Sequence, residues 1–257
     1  MSDLKALIFD VDGTLAETEQ DGHRIAFNQA FAALGLDWHW SVEQYGELLE
    51  VAGGKERIRY YLQQYHPNLP YDQRSPAFVA QLHGLKNQYY QQLLQQGKIA
   101  LRPGVQRLIL AARQAQLRLA IATTSAPHNV MPLLRKTIGA DSPNWFEVIA
   151  AGDIVRQKKP EPDIYHYVLE AMAIAPAHCL VIEDSPQGLA AATQAGLKTV
   201  ITVNRYTCRY TYPQAALVLD HLGEPEKPFI AIAGNPEGDR YFTLDLAQRL
   251  LRSPVHL

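Results

Sequence analysis

Short continuous apolar runs alternate along this chain with stretches whose apolar residues recur every three or four positions. Residues 4–9, 117–123, 146–150, 179–182 and 198–203 read as short buried strands, and 105–115, 130–138, 163–173 and 186–195 read as helices. Strand alternating with helix predicts an α/β fold, a Rossmann-like parallel sheet covered on both faces. Sheets of that kind bind ligands outside the carboxyl ends of their strands.

The alternation stops between about residues 19 and 98, where the pattern is helical throughout. Phe78, Leu82, Leu85, Tyr89 and Leu93 form one apolar row, and Phe27, Ala30, Phe31 and Leu34 form another. The expected organisation is a sheet domain of residues 1–18 and 99–257 with a small helical domain, residues 19–98, inserted after the first strand. The chain returns to the sheet near Leu101-Arg102-Pro103-Gly104, with hinges near Thr18 and Ala100.

Composition narrows the function classes. The 257 residues are 47% hydrophobic and carry a formal net charge of -2, so no general basic field draws the protein to nucleic acid or an anionic membrane. An anionic ligand must therefore be held by a few placed cations. Cys179 and Cys208 have neither zinc-site nor dithiol spacing and are expected as reduced thiols. No apolar run approaches the roughly 20 residues of a membrane span. With residues 4–9 already a strand and no targeting segment expected, the expectation is a cytoplasmic monomer acting on a small molecule.

The candidate chemistry sits at predicted strand ends. Asp10 and Asp12 lie two apart where the first strand gives way to Gly13, so both carboxylates can leave the strand on one side. By themselves they are as readily a solvated turn. Thr123 and Thr124 end a second strand with hydroxyls; Lys159, before Pro160, supplies a cation; Glu183 and Asp184 close a further strand ahead of Ser185. In that order the groups suit phosphoryl transfer. Asp10 would attack phosphorus, Asp12 would act as general acid and base, and Lys159 and Thr123 would spread charge. The all-oxygen donors Asp10, Asp12 (through its carbonyl), Asp184 and, through water, Glu183 suit Mg²⁺ better than zinc.

These four motifs resemble the haloacid dehalogenase superfamily in order and spacing, and residues 19–98 resemble its small helical cap. Asp12 favours the phosphotransferase branch, because dehalogenating members lack the second acid. Asp12-Gly13-Thr14-Leu15-Ala16-Glu17-Thr18-Glu19, Gly53-Gly54-Lys55-Glu56-Arg57, residues 123–129 and Ala151-Gly152-Asp153 are similar to the CbbY group of sugar phosphatases. Asp21-Gly22-His23-Arg24 and Tyr45-Gly46-Glu47-Leu48-Leu49 are similar to its plant and cyanobacterial form, which suggests a photosynthetic source.

That resemblance implies removal of the 1-phosphate of xylulose 1,5-bisphosphate, an inhibitor of Rubisco. The substrate residues it implies are Glu19, Tyr45, Gly53, Gly54, Lys55, Glu56, Arg57, His83, Lys86, Thr123, Thr124, Ser125 and Asn129. Lys55 and Arg57 follow Gly53-Gly54 at an expected helix start, where amide donors also favour anions.

Three other readings use the same residues. A sugar phosphomutase or a phosphoglycolate-type phosphatase would share the core motifs, and a phospho-aspartate signalling module would share the acids without turnover. A P-loop is excluded, since Leu49 and Glu56 stand where it needs glycine and a hydroxyl.

Overall fold

A computed structural model describes residues 3–51 and 53–253. The ends of the expected sheet domain, residues 1–2 and 254–257, lie outside the described residues. The chain divides into two compact units, Met1–Glu17 with Ala100–Leu257, and Thr18–Ile99.

In the first unit the strands β1 (Ala6–Phe9), β2 (Arg118–Thr123), β3 (Val148–Ala151), β4 (Cys179–Glu183), β5 (Lys198–Thr202), β6 (Leu217–Leu219) and β7 (Ala231–Ala233) form one sheet in the order β3-β2-β1-β4-β5-β6-β7. All pairs are parallel except the last. β1 and β4 are buried along their whole length, which is why they read as continuous apolar runs rather than alternating ones. Ala6, Ile8, Ala120 and Val181 on one face pack with Ile164, Tyr165, Val168 and Ala191. The helices of this unit are α5 (Val105–Gln114), α6 (Pro127–Thr137), α7 (Asp163–Ala171), α8 (Pro186–Gln194) and α9 (Leu244–Arg252).

From β1 the chain moves outward to β2 and β3, then returns to the other side of β1 for β4. The connections therefore diverge between β1 and β4, and a crevice opens at their carboxyl ends.

The last strands and α9 were not expected from the sequence. Thr243 Oγ1 accepts from Leu246 N at 3.0 Å and caps α9, whose Leu246, Ala247, Leu250 and Leu251 are buried. At the other end Lys198 Nζ donates to the carbonyls of Leu250 (3.0 Å) and Leu251 (2.8 Å), satisfying groups that a helix end leaves open.

The second unit is helical throughout its described residues: a single π-type turn Glu19–His23, then α1 (Arg24–Ala33), α2 (Val42–Leu48), α3 (Gly54–Tyr65), a short 3₁₀ turn and α4 (Pro76–Gln95). Its core is aromatic. Phe27, Phe31, Trp40 and Tyr61 meet with centroid separations such as 4.6 Å (Phe27–Trp40) and 4.9 Å (Phe31–Trp40). Asn28 brackets the backbone of Trp40, donating to its carbonyl at 3.0 Å and accepting from its N–H at 2.8 Å.

Candidate active site

The turn after β1 is built on Val11, whose carbonyl accepts from Thr14 N and Leu15 N, while Gly13 N donates to Ala16 O. Gly13 takes φ +81°, and a Cβ there would lie 2.4 Å from Asp184 Oδ2, so only glycine fits. Asp10 follows β1 directly and is 7% exposed.

Lys159, which precedes α7 and is followed by a cis bond to Pro160, is 8% exposed and has three acceptors for its three protons. Its Nζ donates to Asp10 Oδ1 at 2.8 Å, Glu183 Oε1 at 2.6 Å and Ala122 O at 2.9 Å. Glu183 commits both oxygens to protein partners. Oε1 also accepts from Tyr165 OH at 3.1 Å, and Oε2 accepts from Asp184 N, Ser185 N and Ser185 Oγ at 2.9, 3.2 and 3.2 Å. It is fully buried, and its position holds the lysine. Asp184 turns the other way, accepting from Thr14 Oγ1 at 3.3 Å and Asn204 Nδ2 at 2.6 Å.

The electrostatics are unbalanced. Asp10, Glu183 and Asp184 present carboxylate oxygens within 4.8 Å of one another, with Lys159 as the ammonium among them. Burial raises the Asp10 carboxyl to about 7 despite Lys159, and burial together with Glu183 and Asp10 raises Asp184 well above the carboxylate range. Lys159 holds Glu183 below its ordinary value, with backbone donors assisting against desolvation. With all three acids ionised, one ammonium would leave two negative charges uncompensated, which is why Asp10 and Asp184 hold protons so tightly and why the residues fit a hard dication with oxygen ligands. Asp10 and Asp184 are the carboxylates not wholly committed elsewhere.

The remaining core residues named from the sequence lie nearby in chain order. Thr123 is buried at the end of β2 and its Oγ1 accepts from Ser125 N at 3.1 Å; Thr124 is exposed; Asn129 is buried in the first turns of α6. Asp12 is half-buried in the turn.

Within the helical unit the structure links three residues that the sequence named separately. Arg57 Nη1 donates to Tyr45 OH at 3.0 Å, and Tyr45 OH donates to Glu19 Oε2 at 2.5 Å. Arg57 is buried and also donates to the carbonyls of Leu48 and Val51. Gly53 takes φ +94° ahead of α3, and a Cβ on Gly54 would lie 2.7 Å from His83 Nε2, so His83 rests on the start of that helix. Lys55 is exposed in this first turn, and Glu56 pairs with Arg59 at 3.2 Å. Lys86 is buried, its ammonium 5.2 Å from the Phe27 ring centroid.

Sequence reasoning missed Tyr165, Asn204, Arg102 and Gly188. Arg102 is a buried hub whose guanidinium donates to Gly13 O, to Thr202 O (2.7 Å), Val203 O (2.6 Å) and Asp220 O (2.6 Å), and pairs with Glu17 at 2.8 Å. A Cβ on Gly188 would overlap Glu183 Oε1 at 1.8 Å, so α8 needs a glycine where the carboxylate passes. Only a glycine in the first turn of a predicted helix, five residues after an acid, hinted at this.

A strand-end acid, a buried lysine and an acid pair at the switch point of a parallel sheet define a hydrolase class, and the comparison with known families agrees. Residues 4–196 match the haloacid dehalogenase-like hydrolases, and the chain belongs to that family. Its relatives in that family include CbbY proteins: the chain is 51% identical over 205 residues to protein CbbY of Rhodobacter capsulatus, covering 80% of this chain and 88% of that one. It is 44% identical over 225 residues to plasmid-encoded CbbY of Cupriavidus necator, covering 88% of each. A crystal structure of CbbY from Rhodobacter sphaeroides in complex with xylulose-(1,5)-bisphosphate superposes with TM-score 0.78 at 44% identity, over 85% of this chain and 94% of that one. The chain is an enzyme of the phosphatase type, a phosphoric monoester hydrolase. No helix among the described residues is long and apolar enough to cross a membrane.

Proposed function

We propose that this protein is a sugar-bisphosphate phosphatase that removes the 1-phosphate of xylulose 1,5-bisphosphate, acting as a cytosolic monomer and clearing an inhibitor of Rubisco. The observation that carries the chemistry is Lys159, whose ammonium ties Asp10 to Glu183 at the ends of β1 and β4. The substrate rests on the relative whose structure holds that bisphosphate.

Asp10 attacks phosphorus in line, forming an aspartyl phosphate as the P–O bond to the sugar breaks. Asp12 gives its proton to the departing sugar oxygen, then takes one from the water that hydrolyses the acyl phosphate, so both acids end as they began. Lys159 and the Thr123 hydroxyl steady charge on the transferring group. Asp10, the Asp12 carbonyl and Asp184 would hold Mg²⁺, which would neutralise phosphate charge when bound. Glu183 fixes Lys159.

In the helical unit, the start of α3 with Gly53, Gly54, Lys55 and His83 is the distal-phosphate site, its amides and exposed ammonium favouring an anion. The Glu19–Tyr45–Arg57 chain serves the sugar hydroxyls, with Glu19 as the contact and Arg57 and Tyr45 holding it.

The test is phosphate release, with Mg²⁺, from xylulose 1,5-bisphosphate, ribulose 1,5-bisphosphate, phosphoglycolate and hexose 1-phosphates. The expected result is a kcat/KM for the xylulose ester at least tenfold above the rest; equal or lower values refute this substrate. Recovery of hexose 6-phosphate without free phosphate would instead show a mutase.

A further inference from the structure

The geometry points to Asn204 as the residue that positions Asp184 to hold the divalent cation, an assignment that rests on the metal-dependent reading above. Asn204 lies just past β5, in a loop whose shape it sets. Its Oδ1 accepts from Tyr206 N at 2.9 Å and Thr207 N at 3.2 Å, and its N–H donates to Thr207 Oγ1 at 3.0 Å. With the amide oxygen so engaged, the NH₂ group must face outward from the turn, and it donates to Asp184 Oδ2 at 2.6 Å.

The same loop holds the backbone of Asp184. Tyr212 OH is shared between Asp184 O at 3.1 Å and Thr207 O at 2.9 Å. The root of the loop is fixed by the guanidinium of Arg102 on the carbonyls of Thr202 and Val203, and that guanidinium also reaches Gly13 O. The fit is close: a Cβ on Gly13 would lie 2.5 Å from Asn204 Nδ2 as well as 2.4 Å from Asp184 Oδ2.

The residue type follows from the charge. An amide offers a donor that orients a carboxylate without adding a fourth negative group beside Asp10, Glu183 and Asp184. Partners that orient a metal-binding carboxylate typically affect affinity by about 10–100-fold when removed.

The experiment is calorimetric titration of metal-free full-length protein with Mg²⁺ alone, beside unfolding in EDTA, for wild type, Asn204→Ala, Tyr212→Phe and Asp184→Asn. Asn204→Ala should weaken Mg²⁺ binding by about 10–100-fold and Tyr212→Phe by a smaller factor, while Asp184→Asn loses the response. A merely structural asparagine would lower the unfolding midpoint and leave Mg²⁺ affinity in place. Affinity within twofold of wild type for Asn204→Ala, with Asp184→Asn inactive in binding, overturns the assignment. Unchanged binding in Asp184→Asn overturns the metal reading itself. If Asn204→Ala does not fold, Tyr212→Phe decides, and affinity equal to wild type again overturns it.

Discussion

Asp10→Asn should make the metal-free protein more stable at pH 8 while abolishing turnover. Burial lifts the Asp10 carboxyl from 3.8 to about 7 in the folded chain. Below pH ~4 the acid is protonated whether the chain is folded or not; between ~4 and ~7 the unfolded chain releases the proton and the folded chain keeps it. Stability present below pH ~4 is therefore lost as pH rises to ~7. At ~1.4 kcal/mol per pH unit over about three units the ceiling is ~4 kcal/mol. Asn cannot ionise, so the variant escapes that loss. That shift is already net of the attraction to Lys159, and the ammonium keeps Glu183 and Ala122 O in the variant. The expected net gain is therefore up to ~4 kcal/mol at pH 8, shrinking towards pH 4–5. Urea unfolding of both proteins in EDTA from pH 5 to 8 measures it, and Mg²⁺ should narrow the gap by stabilising the wild type more. A variant less stable than wild type at pH 8, or a gap that does not change with pH, refutes the reasoning.

Lys159→Met leaves Asp10 and Glu183 without their shared cation, so a loss of about 3–5 kcal/mol in chemical unfolding and no detectable phosphate release are expected; a loss under ~1 kcal/mol would mean the acids are compensated by something else. Gly188→Ala, which would stabilise an ordinary helix interior by ~1 kcal/mol, should here lower the melting temperature and kcat together, because the new methyl overlaps the Glu183 carboxylate; a raised melting temperature would contradict that geometry. Lys55→Ala should raise KM for xylulose 1,5-bisphosphate at least tenfold while leaving a generic aryl monophosphate within about twofold, the loss of one charge-assisted phosphate contact being worth ~1.5–3 kcal/mol; equal effects on both substrates would remove the distal-phosphate site from α3.

What was legible in the sequence follows from what each signal depends on. β1 to β5 are legible because a strand of a covered parallel sheet carries a near-continuous apolar run, and that run needs no knowledge of its neighbours. β6 is buried but only three residues long, too short to stand out as an apolar run, and β7 is three residues that are all exposed, Ile232 among them, so it shows no buried face. α9 does carry a local signal, since Leu246, Ala247, Leu250 and Leu251 lie on one face behind a Thr243 cap. The π-type turn Glu19–His23 has no apolar side chain of its own and runs directly into α1 at Arg24, so no periodicity sets it apart in the sequence.

For the site, the groups that react were legible and the groups that hold them were not. Asp10, Thr123, Glu183 and Asp184 announce themselves as polar residues ending apolar strands, a signal confined to a few adjacent positions. Besides Glu17, Arg102 draws acceptors from the backbone carbonyls of Gly13, Thr202, Val203 and Asp220, up to 118 residues away, which no side-chain pattern reveals. Asn204 likewise reads as an ordinary turn residue until Asp184 is placed beside it. The acids gathered at the end of β1 and β4 raise one another's proton affinity and work against folding, so this sheet end can persist only if its neighbours are fixed. Arg102, Tyr165 and Asn204 supply that fixing without reacting, and the same rigidity that tolerates three buried carboxylates is what leaves a dication site ready before metal arrives.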